Sequence, residues 1–291
     1  MTIKQNNQIL IIDSNALGYR ALYTTGNLSH EKSRTGVIFG FLHQVFKIAK
    51  KYKSNHIIFC WDSKQSFRKI IYPEYKSGRL KKKKELSGKE KYNLNDAYRQ
   101  FGLLKREILF KLGFVNVFME PGYESDDLIA AITKNKKNEY IIFSNDSDLY
   151  QLISDNVSYH DLGKDKLVTK KIFYKEHGID PDYWAEVKAI AGCATDDVLG
   201  IKGIGDNRAI DYIQGRLNSG KLFERIKEGK DNGVIERNRK LVYLPFDDDI
   251  KLRIKKNEFK REKFIEVFNR HSFRSFLEIA YFKGLEKVFE L

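Results

Sequence analysis

The acids of this chain fall where a folded sheet would gather them. Asp13 closes the run ILII, Asp62 follows IIFCW, and Asp146 follows YIIFS with Asp148 two residues on. Glu124, Asp126 and Asp127 come just after VNVFME, at the start of DDLIAAI, and Asp196 follows AGCAT. Taken singly, several have a structural explanation: Asp126 and Asp127 suit a helix N-terminus, and Asp146 suits a turn. The coincidence is harder to explain that way. Clustered carboxylates repel one another and shift one another's protonation unless a cation sits among them. In a chain whose formal net charge is +14, such a cluster implies a divalent metal. Oxygen-only donors suit Mg2+ or Mn2+, whereas Ca2+ usually takes a dedicated cage with more protein ligands. NDSDLYQLISDN (145–156) is not an EF-hand, because Gln151 stands where that loop needs glycine and Val157 where it needs glutamate.

Metal ions held by acids, on a basic chain suited to a polyanion, point to hydrolysis of phosphodiester bonds. Two ions about 4 Å apart stabilise the attacking and leaving oxygens of an in-line displacement. No Ser-His-Asp or Cys-His constellation competes with that chemistry. A second signal is GIKGIGDNRA (200–209), in which Gly200, Gly203 and Gly205 let backbone N–H groups approach a phosphate at a helix start. Lys202 and Arg208 lie in the same stretch as candidate phosphate contacts. Such a hairpin holds DNA without reading its sequence. The stretch lacks the lysine-serine/threonine ending of a nucleotide-binding P-loop, which excludes that class of ATPase.

The elements that must position these residues are legible as periodicity. Segments 8–13, 56–62, 115–120 and 139–146 are rich in β-branched and aromatic residues and read as buried strands. Helical patterns lie between them, at 40–52 and at 101–113, the latter closed by Gly113 as a C-cap. Strands alternating with helices indicate an α/β fold with a central, mainly parallel sheet flanked by helices. Past about residue 171 helical patterns dominate, at 182–192, 206–214 and from about Lys255 to Leu291. The chain thus divides into a core, 1–170, and a helical region, 171–291. YKSGRLKKKKELSGKEKYN (75–93) is too polar to pack; it reads either as a solvated loop or as a functional one. Two cysteines cannot build a disulfide framework, and the six histidines lack zinc-site spacing. The expectation is a reduced, cytoplasmic setting, with neither signal peptide nor membrane-spanning helix.

The ordered series IIDSNALGYR, CWDSKQSFRKIIYPEYKSGR, GYESDDLIAAI, SNDSDLYQLI and KAIAGCATDDVLGIKGIG resembles the flap endonucleases, the 5′-nucleases of bacteriophages and of the N-terminal domain of bacterial DNA polymerase I. The resemblance covers roughly residues 8 to 215. It implies a PIN-like core and a two-metal 5′-nuclease, exonuclease and flap endonuclease, acting on flapped, nicked or branched DNA and on RNA in RNA–DNA hybrids. It further implies a monomer with two Mg2+ ions, replaceable by Mn2+. By motif position, Asp13, Asp62, Glu124 and Asp126 resemble the first-metal cluster, with Asp126 shared and Asp127 assisting through bound water. Asp146, Asp148 and Asp196 resemble second-metal ligands. Lys76 and Arg79 resemble the cations that polarise the scissile phosphate, Arg20 a phosphate contact, and Tyr75 a base-stacking ring. The run Lys81, Lys82, Lys83, Lys84 falls in the family's helical arch, at about 75–100. The glycine hairpin resembles a helix–hairpin–helix, at about 185–215, with a bound K+.

The chain departs from that family's G-D-x-x-D-N pattern. Here the chain reads Gly192-Cys193-Ala194-Thr195-Asp196-Asp197, so Cys193 replaces a carboxylate of the second metal site. A neutral thiol is a poor partner for a hard ion, and the expectation is a small buried residue without metal contact. The alternative reading that follows is a protein of the same fold that grips branched DNA and cleaves it weakly or not at all. A PIN-like ribonuclease would share the acids but would need neither hairpin nor arch.

Overall fold

A computed structural model describes residues 8–30 and 33–291; residues 1–7, 31 and 32 of the expected core region lie outside the described residues. In chain order it places β1 (Gln8–Asp13), α1 (Ser14–Thr25), α2 (Gly36–Tyr52), β2 (Ile57–Cys60), α3 (Ser77–Glu85), α4 (Gly88–Leu103) and β3 (Val117–Phe118). Then follow α5 (Ser125–Thr133), β4 (Glu139–Ser144), β5 (Val157–Asp161), β6 (Lys166–Val168), α6 (Trp184–Ala191) and α7 (Asp206–Ile213). The C-terminal part adds α8 (Val234–Val242), α9 (Arg261–Arg270) and α10 (Ile279–Phe289); two further helices, Lys170–His177 and Gly220–Asp231, precede α6 and α8, and shorter ones lie elsewhere.

The six-stranded sheet runs β3-β2-β1-β4-β5-β6. All neighbours are parallel except the edge strand β6, which returns antiparallel to β5. The strand order reverses between β1 and β4, and a parallel sheet opens a ligand crevice at the carboxyl ends of its strands there. β1 shows why the apolar runs are continuous. Leu10 and Ile12 join the core on one face and Ile11 joins the core on the other, so the centre of the strand is buried on both faces.

Two expectations are corrected here. The polar segment 75–93 is not a loop: it forms α3 and the start of α4, joined at Leu86 and Ser87. Lysine, arginine and glutamate are good helix formers, and Ser87 and Glu90 form a capping box that starts α4. The C-terminal helical run begins at Arg261 rather than near Lys255. Residues 255–258 are instead stitched across β2 and β3: the Lys255 amide donates to Asn116 Oδ1 at 2.8 Å, and Asn257 Nδ2 donates to the Asn55 carbonyl at 3.0 Å.

The helices on either side of that stitched segment take opposite faces. Residues 173–242 pack with Ile11 and Ile58, whereas α9 and α10 pack on α2, where Phe46 meets Phe264, Phe268 and Phe289. Both sides of position 170 therefore contribute to both cores. Among the described residues, no helix is long and apolar enough to cross a membrane.

Candidate metal centre

At the carboxyl edge of the sheet lies a cleft of about 850 Å³ lined by Asp13, Asp62, Asp126, Asp146 and Asp148, with Cys193 on its far wall. The acids arrive on several elements, Asp146 and Asp148 sharing one, and several double as caps. Asp13 caps α1, accepting from the Ala16 amide at 3.1 Å, and Ser144 at the end of β4 donates to its other oxygen at 2.6 Å. Asp62 accepts from the Ser125 amide at 2.9 Å, which ties the end of β2 to the start of α5. Asp146 accepts from the Asp148 amide at 2.9 Å, so the D-x-D spacing folds back over itself.

The electrostatics mark this as a place that wants a cation. Burial, then the charge of Asp62, pushes the Asp13 carboxyl up to about 7. Burial, then Asp146, does the same to Asp148, also to about 7. Asp126 is held well above the ordinary carboxylate range by burial, then by Asp146 and Asp13. A set of carboxylates that each oppose the ionisation of the others, converging from separate elements, fits oxygen-preferring divalent ions.

Three side chains come closest to a ready-made ligand set. Asp148, Cys193 and Asp196 offer one ligand atom each within 4.8 Å of one another, all buried. Cys193 is buried, as expected of a small apolar residue, yet it sits inside the cluster rather than apart from it. Its thiol meets Thr195 Oγ1 at 3.1 Å. Burial, followed by Asp148 and Asp196, pushes that thiol up to about 12. A tight backbone pinch presents it: Gly192 has φ +83°, and a Cβ on Gly200 would lie 2.1 Å from the Ala191 carbonyl carbon. Gly200 is thus explained by packing rather than by an approach to phosphate.

Lys76 and Arg79 reach the cluster from the base of α3. Lys76 Nζ donates to Glu124 Oε2 at 2.6 Å and lies 3.3 Å from Asp196 Oδ2. Arg79 donates to Asp196 Oδ1 at 2.7 Å. Glu124, expected with Asp13 and Asp62, is also linked to Asp196 through shared donors. Burial pulls its carboxyl up, but Lys76 and Arg68 outweigh that and hold it low. Tyr75 is corrected from a base-stacking ring. It is 3 % exposed, and its hydroxyl donates to Glu124 at 2.9 Å and Asp196 at 3.1 Å. The Lys76 amide, bonded to the Asp196 carbonyl at 2.8 Å, turns this stretch inward.

Asp127 is corrected as well. It faces away from the cleft, fully buried, in a two-pronged pair with Arg68 at 2.7 Å on each arm, and it also accepts from the Phe246 amide at 2.8 Å. Arg68 in turn donates to the Leu241 carbonyl at 2.7 Å. This is a structural tie between the end of the β2 loop, α5 and α8. Replacing Asp127 with alanine strands a buried guanidinium, and a loss of about 3–5 kcal/mol is expected, measured by urea unfolding. A variant within about 0.5 kcal/mol of the parent, the range of ordinary surface changes, would contradict the tie.

The basic candidates separate by place. Arg20 lines the cleft wall. Lys81, Lys82, Lys83 and Lys84 are exposed along α3, above Lys76 and Arg79. In the hairpin between α6 and α7, Ile201 and Ile204 are buried, while Lys202, Gly203, Gly205 and Arg208 are exposed. Gly203 has φ +83° and Gly205 caps α7. Two residues escaped the sequence reading. Lys188, on the otherwise apolar side of α6, is 8 % exposed; its Nζ lies 3.0 Å from Asp206 and 4.0 Å from Asp148. A lysine interrupting a buried helical stripe was the signal for it. Asp197 accepts from the Gly78 amide at 2.8 Å and anchors the base of α3 to the Cys193 loop; its only mark in the sequence was its place beside Asp196.

Residues 8–180 match the family model of the 5′-3′ exonuclease N-terminal, resolvase-like domain. The chain is 28 % identical to a 5′-3′ exonuclease of Bacillus subtilis (strain 168), over 98 % of this chain and 97 % of that one. It is 30 % identical to a 5′-3′ exonuclease of Aquifex aeolicus (strain VF5), over 87 % of each. It spans about a third of the DNA polymerase I relatives it matches, 33 % of the thermostable polymerase of Thermus thermophilus. Among solved structures, the fold is similar to the zinc-bound T5 5′-exonuclease, with a TM-score of 0.71 at 23 % identity, covering 94 % of this chain and 99 % of that one.

Proposed function

The chain belongs to the 5′-3′ exonuclease family, and from that premise we propose that it is a structure-specific 5′-nuclease cleaving flapped, nicked or branched DNA with two Mg2+ ions. The observation that carries this reading is the convergence, in one cleft, of acids from the ends of β1, β2 and β4 with the cations at the base of α3. Asp13, Asp62, Glu124 and Asp126 would hold one ion, and Asp146, Asp148 and Asp196 the other, with Mn2+ able to substitute. Bound there, the ions would supply a hydroxide near neutral pH and charge stabilisation at the reacting phosphate.

The rest is the work of this chain. Tyr75 holds Glu124 and Asp196 by hydrogen bonds, so both carboxylates are fixed before substrate arrives. Lys76 and Arg79, now paired to those acids, are the cations that would polarise the scissile phosphate. Lys81 to Lys84 would line the passage of the 5′ single strand, and Lys202, Arg208 and the amides around Gly203 would hold the duplex backbone, with K+ at the hairpin. RNA in RNA–DNA hybrids falls within the same reading, as does action as a monomer.

A second reading is favoured by Cys193 alone: a branched-DNA-binding protein with weak or no catalysis. End-labelled 5′-flap and nicked duplexes, incubated with Mg2+, Mn2+ or EDTA, separate the two. Cleavage with either ion and none with EDTA is expected; tight binding without cleavage in all three would establish the second reading instead.

A further inference from the structure

Behind the cleft, on the α1–α2 side of the sheet, lies a separate pocket of about 110 Å³. That is well above the ~30 Å³ share of one liquid water, and enough for a tetrahedral oxyanion. Its charged lining groups are Arg20, Lys47, Lys51 and Asp165, with Gln44 and His160 beside them, over an apolar floor that includes Phe143. Three permanent cations face one carboxylate. Arg20 also lines the metal cleft, so the two sites share a wall.

The chain itself shows what this pocket holds. Asp165, on the turn between β5 and β6, places Oδ1 2.9 Å from Lys51 Nζ and 3.1 Å from His160 Nε2. An anionic oxygen is therefore already seated on two of the lining groups, delivered by a side chain that is itself 62 % exposed. His160 is 3 % exposed, and it turns its Nε2 toward Asp165 and, at 3.2 Å, toward Lys51 Nζ. Among the described residues, Arg20 and Lys47, also in the lining, are in no ion pair with a carboxylate.

We propose that this pocket seats a phosphate group, and that its source is a backbone phosphate of the DNA strand passing the cleft, with Asp165 as a built-in anion that the phosphate displaces. The choice of DNA rests on the reading of the chain as a DNA-acting nuclease; the phosphate chemistry does not. Lysines on a phosphate weaken with salt in proportion to the phosphates they neutralise. The pocket thus adds affinity and orientation without reading bases.

The test uses the full chain and fluorescent flap DNA in EDTA, with affinity measured by anisotropy across a salt series. For a Lys47→Ala/Lys51→Ala protein, an affinity loss of about tenfold and a salt slope shallower by about 1 are expected. Asp165→Asn should move the other way and tighten binding, an effect that damaged folding would not produce. A parallel arm follows melting temperature against inorganic phosphate. Stabilisation of the parent but not of the double variant, with DNA affinity unaltered, keeps the phosphate site and assigns it to free phosphate. No change in either arm overturns the pocket. Failure of the parent to bind flap DNA would sink the nuclease reading and leave the phosphate arm to decide this one.

Discussion

An Asp126→Asn protein is expected to lose flap cleavage by about 1000-fold or more, and yet to melt higher than the parent when both are metal-free at pH 8. The two effects have one cause. Asp126 is half-buried in the cleft, and its carboxyl is held well above the ordinary range by burial, then by Asp146 and Asp13. At pH 8 the metal-free parent must therefore keep mutually repelling acids together. Asparagine keeps the shape and removes a group whose ionisation the neighbouring acids oppose. It also removes the ligand expected to be shared between the ions, and about 4 kcal/mol of transition-state stabilisation corresponds to that rate loss.

The sign of the pH dependence follows from the same shifts. Asp13 and Asp148 rise from 3.8 to about 7 in the folded chain. Between those values the folded state holds more protons than the unfolded one, so stability falls as pH rises through the window and stays low above it. Scanning fluorimetry with EDTA at pH 5 and pH 8 should show that fall in the parent and a smaller one in Asp126→Asn. Added Mg2+ should restore the parent at pH 8, because an ion that binds only the folded state stabilises it by mass action. A variant less stable than the parent at pH 8 would make Asp126 a structural residue.

Asp126 and its neighbour Asp127 also show where sequence reading stops. They are identical and adjacent, but consecutive positions of a helix point about 100° apart. One faces the cleft, and the other faces Arg68, which arrives from a short helix fifty-nine residues away. No local pattern records that. The acids at the ends of β1, β2 and β4 were legible because a buried parallel strand is an unbroken apolar run, so the first charge after it marks the open edge of the sheet. β5 and β6 were missed because VSYHD and KLV lie toward the edge, where serine, histidine and aspartate break the run. In the 75–93 stretch, polarity hid two helices whose only local mark was Ser87 and Glu90 three residues apart. Tyr75 shows the same limit: an aromatic in a basic run suggests a base, until long-range hydrogen bonds to Asp196 turn it inward.

Cys193 was legible as a departure, and its surroundings now give that departure a magnitude to test. Its sulfur stands where the resemblance leads one to expect a carboxylate, at a point where Asp148 and Asp196 converge within 4.8 Å. With the thiol pushed up to about 12, it is a neutral, soft neighbour at any ordinary pH. Mg2+ has little use for such a donor, while Mn2+, a transition ion, tolerates it better. The parent should therefore cleave about tenfold faster with Mn2+ than with Mg2+, the equivalent of about 1.4 kcal/mol. Cys193→Asp should close most of that gap by raising the Mg2+ rate, and calorimetric titration should show tighter Mg2+ binding. Equal rates with the two ions in the parent would sink the idea. The substitution also adds a buried acid beside two others, so the metal-free variant should melt lower than the parent at pH 8, the mirror image of Asp126→Asn. If the site is organised by repulsion that only a cation relieves, the two variants must move in opposite directions on that axis, whatever their rates.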